Sequence, residues 1–183
     1  MPLNLLLYEL SQEFPSFRIL PKDTSWAMRI LFFLLRIVTL NGCPDFMTRF
    51  VTTIGTRVYV PSNWANWDED DKVCLLRHER VHMRQARKYT FIGFAFLYLL
   101  LWFPLGLAYF RCKFEQEAYA ETMRADAEAY GVQILLREDY KRNIMHYFLS
   151  GAYGWMWPFE GQIEDWYEQT KQEIRAEMLK AKK

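Results

Sequence analysis

Residues 90–110, TFIGFAFLYLLLWFPLGLAYF, run for 21 positions without a charge, and nothing else in the chain restricts its fold as much. About 20 apolar residues suffice to cross a bilayer. Pro104 and Gly106 lie within the run, however, and a proline breaks or kinks a helix. The segment therefore reads either as one membrane span or as a helical hairpin turning near Phe103-Pro104. Such a hairpin is buried in a core or dips into one leaflet.

The flanking segments bear on that choice. Upstream stands His78-Glu79-Arg80-Val81-His82, an HExxH pattern inside LLRHERVHMRQ, holding two of the chain's three histidines. A spacing of four on a helix brings both imidazoles to one face, where they can share a tetrahedral zinc. The fourth position stays open to water, whose pKa zinc lowers toward neutrality, and Glu79 is placed to take its proton. The plain alternative is two surface histidines on a basic helix that also carries Arg77, Arg80, Arg84 and Arg87.

Downstream, FEQEAYAET at 114–122 offers a third ligand, and helical phase separates its glutamates. Through Glu115 the face reads Ala108, Arg111/Cys112, Ala118/Tyr119 and Thr122, small and partly apolar. Through Glu117 it reads Glu121, Arg124 and Glu128, a solvated face with Glu–Arg pairs. Glu115 is the preferred ligand and Glu117 the alternative. If His78, His82 and Glu115 share a zinc, they lie within about 4 Å of one another. A single crossing by 91–110 would part them by about 30 Å. Zinc and a single span exclude each other, so zinc requires the chain to double back.

The 183 residues carry 23 Lys+Arg against 22 Asp+Glu, so no overall field draws nucleic acid. With half of them hydrophobic, one domain with a real core is expected. Cys43, Cys74 and Cys112 form no CxxC pair, which argues against thiolate zinc and dithiol redox chemistry and for a reducing compartment. The opening MPLNLLLYELSQE lacks a basic region and Glu9 interrupts its apolar run, so no secretory leader is expected.

Residues 1–23, with Pro15 and Pro21, predict a short helix and loop. Residues 24–40 predict an apolar helix capped by Thr24 or Ser25, with Arg29 and Arg36 on one face. It reads as a core helix or as one lying in a membrane interface. Residues 49–60, RFVTTIGTRVYV, predict a β-hairpin, the one convincing β-structure. Asp68 to Asp71 head a helix over 69–89. A glutamate-bearing helix over 111–130 ends at Gly131, and helices follow within 138–180, with a Gly/Pro/aromatic loop at 150–161. An oxyanion forming at zinc calls for a further donor. The candidates are Tyr153, in the Gly-flanked SGAYGW, and His146.

HERVH, a short connection and ExEA (Glu115, Glu117, Ala118) together resemble the gluzincin class of zinc metallopeptidases. More narrowly, residues 50 to about 125 look like the small gluzincin-like peptidase domains of bacteria and their phages. There the pattern is often HExxHxxQ followed by ExEA. Gln85 occupies the Q position, and aligning ExEA again selects Glu115. Many gluzincins carry an acid four residues after the ligand glutamate, where it braces a histidine, but Tyr119 stands there. With Glu117 as ligand, Glu121 would be that acid.

The resemblance implies an α+β, mostly α-helical fold with a zincin-like core. A small β-hairpin or sheet would lie beside the HExxH helix, its edge binding extended substrate, with N- and C-terminal helices around it. It implies one zinc per chain and hydrolysis of peptide bonds. The expected machinery is His78, His82 and Glu115 on zinc, Glu79 as general base, and Tyr153 or His146 at the oxyanion. Two other readings stand beside it: a non-catalytic membrane protein spanning at 90–110, and a zincin-like binding module with structural zinc. The expected partner is a peptide or protein substrate, not nucleic acid. Where 24–40 and 90–110 are not core, a membrane surface joins it, with the protein cytoplasmic and peripherally attached.

Overall fold

The computed structural model describes residues 1–38, 44–48, 50–99, 108–150, 156–157 and 159–181. The chain packs as two compact units, Met1–Val73 and Cys74–Lys183. The fold is α+β and mostly helical, with one small sheet.

In the first unit, α1 (Leu3–Glu13) buries Leu6 and Leu10, one helical turn apart. The hairpin expected at 49–60 occupies β2 (Thr52–Ile54) and β3 (Arg57–Val60), paired antiparallel with Ile54 opposite Arg57. Gly55, at φ +62°, takes the first position of the two-residue turn, where a side chain would be strained. A third strand corrects the loop expected at the end of residues 1–23: β1 (Arg18–Pro21) pairs parallel with β3. β3 is therefore central, and Val58, Tyr59 and Val60 are all buried. Pro21 closes an edge strand, where its missing N–H costs little.

The apolar helix expected at 24–40 is α2 (Trp26–Val38), with residues 39–40 outside the described residues. Ser25, not Thr24, caps it: the Ser25 Oγ accepts the Met28 N–H at 3.4 Å, while the Thr24 hydroxyl donates to the Pro21 carbonyl. Met28, Phe46 and Tyr59 form a core cluster. Lys22 is buried nearby, donating to the Phe46 carbonyl at 2.7 Å with its ammonium over the Phe46 ring.

The second unit is helical. α3 (Glu69–Lys88) starts in the first unit, with Glu69, Asp70 and Asp71 in its first turn, and carries the HExxH motif in the second. α4 (Phe91–Leu99), α5 (Tyr109–Tyr130), α6 (Glu138–Leu149) and α7 (Glu160–Ala181) complete it. α4 and α5 run antiparallel, since Phe94 meets Phe114 at 5.1 Å and the Arg111 guanidinium lies 5.8 Å over the Tyr98 ring. The chain thus doubles back between Leu99 and Tyr109, which overturns a single span by 90–110. The expected turn at Phe103-Pro104 lies outside the described residues. Among those residues no helix is long and apolar enough to cross a membrane. The main core forms where one face of α5 meets α6 and α7, around Met123, Phe148, Ile163, Tyr167 and Ile174. α5 ends at Gly131, whose φ of +87° suits glycine alone.

Candidate metal centre

α3 brings His78 and His82 to one face, as a spacing of four dictates, and their Nε2 atoms lie 3.2 Å apart. α5 supplies Glu115, whose carboxylate sits 3.6 Å from His78 Nε2 through Oε2 and 3.5 Å from His82 Nε2 through Oε1. His78 and Glu115 are buried, and the His82 side chain keeps 11% exposure. Among the described residues this is the one group of three His, Cys, Asp or Glu side chains able to hold a metal.

The donor set fits a tetrahedral cation. Bonds of about 2.0–2.2 Å put ligand atoms roughly 3.3–3.6 Å apart; here the two nitrogens lie 3.2 Å apart, one Glu115 oxygen 3.6 Å from His78 and the other 3.5 Å from His82. Glu115 Oε2 is buried without a hydrogen-bond partner, 3.6 Å from His78 Nε2. An orphaned carboxylate oxygen is costly unless a cation faces it. Zinc is the ion that two imidazoles, one carboxylate and an open position suit best.

The surrounding hydrogen bonds set both histidines for this task. The Thr122 hydroxyl donates to the Ala118 carbonyl at 3.3 Å, so its oxygen accepts from His78 Nδ1 at 3.0 Å. The Gln85 amide nitrogen donates to the Phe114 carbonyl and to Glu117, which turns its oxygen toward His82 Nδ1 at 2.9 Å. Both Nδ1 atoms are thus donors, which leaves both Nε2 atoms facing the shared centre, where a metal would displace the proton that His82 carries without it. The Tyr98 hydroxyl, from α4, donates to Glu115 Oε1 at 2.5 Å. Tyr119 packs edge-on against His78, and Phe94 tilts against His82.

Charge follows from this geometry. Burial opposes ionisation of Glu115, but His82 and His78 hold its carboxyl well below the usual carboxylate range. Burial likewise opposes the His82 imidazolium, yet Glu115 first, and then Glu79 and Gln85, push it up to about 9. Burial raises the Cys112 thiol to about 12, so Cys112 adds no thiolate to the site.

Of the residues singled out from the sequence, His78, His82 and Glu115 come together. Glu79 is buried beside them on α3. Glu117 is exposed and serves as an acceptor for Gln85. His146 is exposed on α6, where its ring meets Tyr147, and Tyr153 lies outside the described residues. The histidine brace is Thr122, seven residues after Glu115 on the same face, rather than the residue at position 119. Sequence reading missed Tyr98. Its signal was available: Tyr98 carries the only hydroxyl between Thr90 and Tyr109, and a tyrosine in an apolar helix needs a partner. Compared with protein-family models, with curated proteins and with solved structures, the chain finds no match.

Proposed function

We propose that this chain is a zinc-dependent metallopeptidase with a gluzincin-like site in a zincin-like core, holding one zinc through His78, His82 and Glu115. The observation that carries the reading is the convergence of three buried donors from α3 and α5, with a carboxylic acid at Glu79 between the two histidines. Zinc bound there supplies Lewis-acid polarisation of a peptide carbonyl and acidifies water near neutral pH. Glu79 accepts a proton from the attacking water and returns it to the departing amine. Thr122 and Gln85 keep both imidazoles in the metal-binding tautomer. Tyr98 holds one oxygen of Glu115 and leaves the other for the metal.

A binding module with structural zinc is the second reading, favoured by the burial of His78, Glu79 and Glu115. Elemental analysis comes first: wild type carries about one zinc per chain and His82→Ala carries none. Glu79→Gln then separates the two readings. In a peptidase it keeps the zinc and loses cleavage of a peptide library. No zinc in folded wild type after zinc is added back overturns the proposal, and cleavage surviving Glu79→Gln removes that residue's role.

A further inference from the structure

We infer that α4 is the element by which this protein docks on an anionic lipid surface. All nine residues of α4 are uncharged. Its inner side is occupied, since Phe94 and Tyr98 reach His82, Phe114 and Glu115. Its outer side is not: Ile92 is 79% exposed and Phe96 58%, one turn apart on one face. Phe91 is half exposed beside them, and Tyr109 and Phe110 stand out at the start of α5. So many large apolar side chains in water mark a surface meant to be covered.

Charge says by what. The chain as a whole is nearly neutral, yet from Arg80 to Phe114 it carries six Lys and Arg and no Asp or Glu. Arg84, Arg87 and Lys88 are exposed at the end of α3, two residues before α4, and Lys113 is exposed on α5. Because α4 and α5 are antiparallel, with Phe94 level with Phe114 and Tyr98 with Arg111, Lys113 falls level with the middle of α4. An apolar helix with cations gathered at one end, and tyrosines at 89 and 109, matches a lipid interface: acyl chains for the apolar face, anionic headgroups for the cations. Along the chain no acid interrupts these 35 residues, although Glu117 and Glu121 line one pocket with Arg84 and Lys88. α2 also exposes Trp26, Ile30 and Phe33, but residues 23–45 set Asp23 and Asp45 against Arg29 and Arg36, so no net charge favours an anionic surface there.

If the metal reading above holds, this docking names a substrate class. Tyr98 and Phe94 touch the site from the inner side of the helix whose outer side meets lipid, about one helix diameter away. The substrate is then a polypeptide segment lying at a membrane surface.

The test is co-sedimentation of the full chain with vesicles of phosphatidylcholine alone or mixed with phosphatidylglycerol. Wild type binds the anionic vesicles, weakens as salt rises, and binds neutral vesicles at least about tenfold less. The double variant Ile92→Glu, Phe96→Glu loses about tenfold or more of the anionic binding while keeping its helical content and wild-type zinc content, whatever the latter is. Phe33→Glu binds like wild type. No binding to anionic vesicles overturns the inference, as does equal binding by wild type and the double variant. Loss in Phe33→Glu instead assigns docking to α2. A dimer that the double variant dissolves, without vesicle binding, assigns the face to a second copy of the chain. None of these outcomes depends on whether zinc is bound.

Discussion

Tyr98 and the two histidines divide the Glu115 carboxylate between them. Oε1 accepts the tyrosine hydroxyl at 2.5 Å, whereas Oε2 is buried with no hydrogen bond. The free oxygen is then the natural ligand, and the tyrosine keeps the carboxylate monodentate. Tyr98→Phe is expected to keep the fold and weaken zinc binding roughly tenfold, the usual scale for an outer hydrogen bond to a ligand. In the cobalt-substituted protein the same change raises the coordination number, read as weaker visible absorption. An unchanged zinc Kd and spectrum would show that Tyr98 only packs. Protons compete for the same atoms. His82 is raised to about 9 by Glu115, so at neutral pH the metal-free site holds a proton that zinc must displace. Zinc affinity is therefore expected to climb up to about tenfold per pH unit between 6 and 8, with close to one proton released per zinc. For the metal-free fold the sign reverses. The imidazolium's contribution is complete below its unfolded pKa of about 6.5 and fades as pH rises through about 9. Calorimetry of zinc binding in buffers of different ionisation enthalpy counts the protons, and a pH-independent affinity would refute this account.

At the scale of elements, a network of long polar side chains joins α3 to α5. Arg77 of α3 makes a fork to Glu128, at 2.5 and 3.1 Å, and reaches Glu121 at 2.6 Å. Glu121 also pairs with Arg124, which continues to Glu177 on α7. Gln85 and Cys74 add bonds to the Phe114 and Thr122 carbonyls. Arg77 is nearly buried but its acids are partly exposed, so the loss on removing it is moderated by solvent. Arg77→Met is expected to cost about 2 kcal/mol in denaturant unfolding, with zinc stoichiometry retained. A change below about 0.5 kcal/mol would mean that the network is ornamental to α3 docking. Much of this was legible beforehand, because helix periodicity is a local property. The HExxH spacing put His78 and His82 together, and the phase of 114–122 put Glu115 with buried Ala118 and Tyr119 while leaving Glu117 exposed. The parallel pairing of Arg18–Pro21 with Arg57–Val60 was not legible. Four residues ending in proline carry no alternation to read, and the partner lies nearly forty residues away. The Thr122 brace was hidden for a related reason: a hydroxyl at helical spacing looks like any other until its own donor is spent on the Ala118 carbonyl.

For the molecule as a whole, the metal would act as a clip within the Cys74–Lys183 unit. His82 and Glu115 are joined by a connection of more than thirty residues, and closing such a loop in the unfolded chain costs entropy that bound metal recovers in the folded state. The main core, where α5 meets α6 and α7, does not include His78 or His82. α3 buries Leu76 and Met83, neither of them part of that core, so the metal would add a further tie to this helix. Adding zinc at about a thousand times its Kd is worth roughly 4 kcal/mol, or about 8–16 °C in Tm for a chain of this size. Amide exchange should slow first in peptides covering 74–88 and 111–122, and less in those covering α6 and α7. EDTA reverses both effects, and His82→Ala shows neither. The variant is the decisive arm: if zinc stabilises His82→Ala as much as wild type, the ion binds elsewhere on the chain and His78, His82 and Glu115 are a buried hydrogen-bonded cluster rather than a metal centre.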